Sequence, residues 1–242
     1  MTAEASTPSA PRAPENGGSV VISVDAMGGD RGPSVVVAGM AESADKNPEL
    51  RFIVHGDEAE LGRLIGRRKV LADRCDIRHA PGVVTMEDKP SQIVRKGGDT
   101  SMWAAIESVR AGEAGAAVSC GNTGALMALS MLRLRKLPGG NRPAIACYWP
   151  SRNLSGFNVM LDVGADIKAE APDLLQYAAM GASYARNGMG LARPRIGLLN
   201  VGTEDHKVRA ELHEAAAQMA KAAEAGAYDY IGFVEGSDLP SD

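Results

Sequence analysis

From residue 20 onward, short uninterrupted apolar runs alternate with stretches of helical period, and this alternation limits the fold more than any other feature. VVISV (20–24), VMLDV (159–163) and IGLLNV (196–201) carry no polar alternation. A strand that is apolar on both sides needs cover on both faces, which is the situation of parallel sheets with helices above and below. Strands are expected at 20–25, 51–55, 76–79, 116–119, 144–148, 158–162, 195–200 and 229–234. Helices are expected at 33–44, 58–67, 100–110, 123–135, 172–186 and 204–225, with Pro33 at a first helical position and Gly112 and Gly188 at helix ends. The pattern predicts a doubly wound, mostly parallel α/β fold.

Residues 1–18 are rich in Pro, Ala, Ser and Thr and are read as a disordered tail, leaving 19–242 as one α/β domain. The start has no basic segment leading into an apolar core, so it is not read as a secretory signal, and no stretch reaches the roughly 20 apolar residues of a membrane span. Lys plus Arg number 26 against 30 for Asp plus Glu, which gives no support to nucleic-acid binding. The three cysteines form no C-x-x-C pair and suit a reducing cytoplasm.

The chemistry is expected in the loops that follow the strands. DAMGGD (25–30), SCGNTGA (119–125), DVGAD (162–166), NVGTED (200–205) and VEGSD (234–238) combine glycine with acids, amides or hydroxyls. In a parallel sheet such loops share the carboxyl edge, where open α/β proteins bind ligands. SCGNTGA joins a strand to a helix, so its amides and the positive helix end make an anion site. Gly121, Asn122, Thr123 and Gly124 are expected to bind phosphate, Asn122 with its side-chain amide. The spacing is neither a Walker A loop nor a dinucleotide fingerprint. Cys120 is read as a packing residue rather than a nucleophile. In NVGTEDHK, Lys207 is expected to offset charge on phosphate and on a developing oxyanion, and His206 is a candidate acid or base. Asp25, Asp30, Asp162 and Glu204 are read as loop-organising residues, with no metal and no cofactor. Leu126, Met127, Leu129, Met131 and Leu132 are read as core, and Arg133, Arg135 and Lys136 as a solvated helix end.

VDAMGGD, KPSQ (89–92), SMWAAIESVRAGEAGAAVSCGNTGALMA, NRPAIA, LDVGAD, LLQYAAMG, LLNVGTEDHK and YIGFVEG follow one another in the order and approximate spacing of the bacterial phosphate acyltransferase (PlsX) family. The chain resembles that family from about residue 20 to 234. The resemblance implies an α/β/α fold akin to phosphate acetyltransferases and isopropylmalate dehydrogenases. It also implies transfer of a fatty acyl group from acyl carrier protein to inorganic phosphate, for phospholipid synthesis. A homodimer in the cytoplasm, loosely associated with the inner membrane face, is part of the same expectation. Three positions depart from the family pattern: Cys120 for Ala, Asp166 for Asn and Val208 for Gly. The family also continues beyond residue 242, so its C-terminal part is expected to be missing here. The alternatives are a phosphate acetyltransferase-like enzyme using coenzyme A thioesters and a phosphate-binding but inert fragment.

Overall fold

The computed structural model describes residues 19–136, 140, 143–163, 169–200 and 210–241. The tail at 1–18, together with Asp166, Glu204, His206, Lys207 and Val208, lies outside the described residues. The chain forms two compact units that divide after Arg135.

The first unit is built on four parallel strands: β1 (Val20–Asp25), β2 (Leu50–Gly56), β3 (Cys75–His79) and β4 (Ala116–Ser119), in the order β3-β2-β1-β4. Both faces are covered, as the unbroken apolar runs require. On one face, α1 (Pro33–Lys46) and α2 (Glu58–Ile65) bring Val37, Met40, Ala41, Leu61 and Ile65 onto Val24, Phe52 and Val54. On the other face, α4 (Ser101–Arg110) places Ser108 against His55 of β2. Helix α1 starts after Gly32, whose φ of 68° sets the turn, and Pro33 supplies the first helical φ. Helix α2 is capped by Asp57, which accepts from the Glu60 N–H at 2.7 Å. A second core cluster joins α4 to α3 (Pro90–Lys96) and α5 (Thr123–Arg133) through Met102, Ile106, Ile93, Ala125 and Leu129. Helix α3 was not among the helices expected from the sequence. Its seven residues are too few for a clear helical stripe, and Pro90 at their head also fits a loop.

In the second unit, β5 (Ala146–Pro150) and β6 (Phe157–Leu161) form an antiparallel hairpin. Helix α6 (Ala171–Met189) begins with a reciprocal Glu170–Asp173 capping box and stops at Gly190, whose φ is 71°. Strand β7 (Arg195–Leu199), helix α7 (Ala210–Ala223) and strand β8 (Asp229–Val234) make a parallel β-α-β unit. Ala171, Ala178, Leu198, Ala215 and Met219 form its core. The chain is thus α/β with mostly parallel pairing, and the β5–β6 hairpin is the exception. Only two of the five glycine-bearing loops follow strands of the four-stranded sheet. DVGAD follows the hairpin strand β6, while NVGTED and VEGSD follow β7 and β8.

Candidate active site

The strand order places a switch point between β1 and β4. The chain runs outward from β1 through β2 to β3, then returns to the free side of β1 with β4. The loops after two such strands diverge to opposite faces and leave a crevice at their carboxyl ends. The loops after β1 and β4 are DAMGGD and SCGNTGA.

A carboxylate and a hydroxyl tie these two loops together. Asp25, 1% exposed, accepts from the Gly28 N–H at 3.2 Å and from the Ser119 hydroxyl at 2.6 Å. The Ser119 oxygen in turn accepts from the Gly121 N–H at 3.0 Å. The backbones meet so closely that a β-carbon on Gly28 would lie 2.5 Å from the Asp25 carboxylate and 3.0 Å from the Gly121 nitrogen. Two glycines are needed here because any side chain would wedge the loops apart. Asp25 therefore organises the loop as expected. Asp30 is exposed and takes no part in these hydrogen bonds among the described residues. The acid at 30 looked equivalent to Asp25 because both flank the glycine pair. Asp162, at the end of β6, adopts a left-handed φ of 64°, and its N–H donates to the Ile145 carbonyl at 2.7 Å.

Asn122 caps α5 by accepting from the Ala125 N–H at 3.0 Å. Its side-chain nitrogen donates to the carbonyls of Thr85, Met86 and Asp88 at 3.2, 3.3 and 3.0 Å. The expectation that this amide reaches phosphate is corrected here: the side chain is buried and its donors already have acceptors. The 85–88 turn that Asn122 grips is itself closed by Asp88, which accepts from the Thr85 N–H at 2.8 Å. Gly124 also has a packing reason, since a β-carbon there would lie 3.2 Å from the Pro90 ring. Thr123 is exposed, and neither its N–H nor that of Gly124 has a hydrogen-bond partner among the described residues. Those two amides, with the Thr123 hydroxyl, are the open donors at the positive end of α5.

Cys120 is exposed rather than buried, so it is not a core packing residue; its β-carbon lies against the backbone of Gly29. Leu129 is buried as expected, but Met131 and Leu132 face outward, because only the 125/129 stripe of α5 meets α4. Arg133 is not simply solvated. It pairs with Glu107, which pulls the glutamate pKa below its usual value, and it lies 4.9 Å over the Trp103 ring.

Two residues near the crevice drew no attention in the sequence. His55, opposite Asp25 in the β1–β2 register, is 2% exposed and bridges Ser23 and Ser108 at 3.1 and 3.2 Å. Burial, helped by Arg78, pushes its pKa down to about 4, so the ring is neutral at pH 7. Lys89, next to Pro90, is exposed and makes no ion pair among the described residues. Its signal was the KPSQ motif, which had been read as a family marker only. Among the described residues, no group of three or more His, Cys, Asp or Glu is arranged to hold a metal ion.

A family model described as fatty acid synthesis protein matches residues 20–242. The chain belongs to that family. It is 73% identical over 239 residues to a phosphate acyltransferase of Paracoccus denitrificans (strain Pd 1222), covering 99% of this chain and 65% of that protein. It is 72% identical over 223 residues to a phosphate acyltransferase of Cereibacter sphaeroides (strain ATCC 17025 / ATH 2.4.3), covering 92% of this chain and 61% of the relative. The chain therefore spans somewhat less than two thirds of the length of these relatives. Among solved structures, the EutD phosphotransacetylase from Staphylococcus aureus matches with a TM-score of 0.62 at 16% identity, covering 90% of this chain and 69% of that one. A phosphotransacetylase from Streptococcus pyogenes matches with a TM-score of 0.60 at 17% identity, covering 93% and 67%. These two likenesses establish the fold alone. The family and the fold read from the ordered motifs are the ones found.

Proposed function

We propose that this member of the fatty acid synthesis family is a phosphate acyltransferase, moving a fatty acyl group from acyl carrier protein to inorganic phosphate. The observation that carries the reading is the pair of open amides at Thr123 and Gly124, presented at the β1–β4 switch point by loops that Asp25 and Ser119 lock together. The names of the two relatives supply the reaction class.

Phosphate is held by the amides of Thr123 and Gly124 and by the Thr123 hydroxyl, and Asn122 and Gly121 fix their positions. A phosphate oxygen attacks the thioester carbon. The new C–O bond forms as the C–S bond breaks, the electron pair leaves on sulfur, and the thiolate takes its proton from solvent. No covalent intermediate with the protein and no cofactor is required, and positioning supplies most of the rate. Lys207 offsets charge on phosphate and on the tetrahedral oxyanion, with His206 as a candidate acid or base. Association as a homodimer and loose contact with the inner membrane face complete the proposal. Among the described residues, no helix is long and apolar enough to cross a membrane.

The test is acyl phosphate formation, trapped with hydroxylamine, by a protein of the relatives' full length given inorganic phosphate and either an acyl carrier protein thioester or a coenzyme A thioester. Turnover with the carrier thioester is expected. Turnover with coenzyme A alone favours the phosphate acetyltransferase-like reading, and phosphate binding without turnover favours an inert binding module. Lys207→Ala is expected to lower turnover at least tenfold, and near-normal transfer would remove Lys207 from the mechanism.

A further inference from the structure

We infer that the cavity in the second unit is a slot for an extended segment of polypeptide, supplied by the part of the relatives' length that this chain does not match. This inference rests on family membership and not on the proposed reaction.

The cavity has a volume of about 1700 Å³. That is well above the roughly 300–1,000 Å³ of ordinary small-molecule sites, which argues against a single ligand as its natural filling. Its walls are more informative than its size. Residues 157–162, along β6, and 194–200, along β7, line it without a gap. Consecutive residues of a strand point to opposite faces, so an unbroken series means that the cavity borders the edge of each strand rather than one face. Both edges are open: among the described residues, β6 pairs only with β5, and β7 only with β8. From β5 and β8 the cavity takes only Trp149, Ile231 and Val234.

The floor is α6. Leu174, Ala178, Gly181, Ala185 and Met189 reach the cavity at helical spacing, with small residues at its centre. Small side chains there leave room for a backbone to lie across the helix. Unpaired strand N–H and C=O groups beside an apolar floor are costly, and the filling that relieves this is another strand. A strand brings matching donors and acceptors to both edges and apolar side chains to α6. A fatty acyl chain could cover the floor but would leave both edges unsatisfied. The relatives supply the length: this chain covers 65% and 61% of theirs.

The experiment compares amide hydrogen exchange in the present chain and in the same chain lengthened with the unmatched residues of the Paracoccus relative. Every second amide within 157–161 and 195–199, those facing away from β5 and β8, is expected to slow by on the order of 100-fold in the lengthened chain. Unchanged exchange at those amides in a folded, lengthened chain would overturn the inference. Should the lengthened chain fail to fold, the unmatched residues are co-expressed as a separate polypeptide. Protection of the same amides then supports the slot, and its absence overturns it. Protection that appears only on adding palmitate would assign the cavity to an acyl chain and also overturn the inference.

Discussion

Ser119 and Asp25, 94 residues apart in the chain, share a 2.6 Å hydrogen bond that closes the loops after β4 and β1 onto each other. The same hydroxyl oxygen accepts from the Gly121 N–H, so one side chain sets both the separation of the loops and the approach to α5. Ser119→Ala leaves the buried Asp25 carboxylate with the Gly28 N–H alone and leaves the Gly121 N–H without its acceptor. The expected loss is about 1–3 kcal/mol of stability, read as a lower urea midpoint with an unchanged slope. A midpoint equal to that of the parent chain would show that the clamp carries no weight.

Asn122 joins two roles that can be separated by protease. Its oxygen caps α5 and its nitrogen holds the carbonyls of Thr85, Met86 and Asp88. Asn122→Ala costs about 1 kcal/mol through the cap and a comparable amount through the released turn. The exposed Glu87 lies within that turn. Cleavage there by a glutamate-specific protease is expected to speed up about tenfold in the variant. Equal cleavage rates would mean that the turn holds itself closed through Asp88.

His55 makes stability depend on pH in a window where the carboxylates are still ionised. Its pKa is lowered from 6.5 to about 4, chiefly by burial and then by Arg78, against smaller opposing pulls from Asp25, Asp76 and Glu113. The unfolded chain therefore binds a proton first. The contribution is fully present above pH 6.5 and is lost as pH falls toward 4. Between pH 7 and 5 the loss is on the order of 1–2 kcal/mol, the upper figure applying without screening. Urea titrations at the two pH values measure it, and His55→Gln is expected to flatten the difference. A parent protein equally stable at both values would contradict the neutral, buried ring.

The sheet was legible because both-face burial writes itself into sequence as unbroken Val and Ile runs, as at 20–24 and 52–54. The importance of DAMGGD and SCGNTGA was legible because glycines beside acids and amides, just after such runs, have few other reasons to be there. The division of labour within them was not. Asn122 looks like a ligand donor in sequence, and only the 85–88 carbonyls reveal that its amide is occupied. Ser119 and His55 were missed for a related reason: each acts on a residue far away in the chain, Asp25 in one case and Ser108 in the other. Short-range patterns carry no trace of such pairings. The spread of the loops over three sheets was equally hidden, since an antiparallel hairpin at β5–β6 looks locally like two more apolar runs.

The open amide of Thr123 allows a test in which the helix is kept and one donor is removed. Thr123 is the first residue of α5, where an N–H has no intrahelical partner and where proline is well tolerated. Asn122 before it already has an extended ψ of 108°, as a residue preceding proline needs. Thr123→Pro thus deletes the N–H and the hydroxyl together and leaves the cap and helix in place. Thr123→Ala deletes the hydroxyl alone. Each charge-assisted bond to phosphate is worth about 1.5–3 kcal/mol, so phosphate affinity is expected to fall about tenfold for the alanine variant and further for proline. Calorimetric titration with inorganic phosphate gives the affinities, and far-ultraviolet circular dichroism checks that helix content is unchanged. A proline variant with intact helix content and undiminished phosphate affinity would place the anion somewhere other than the start of α5.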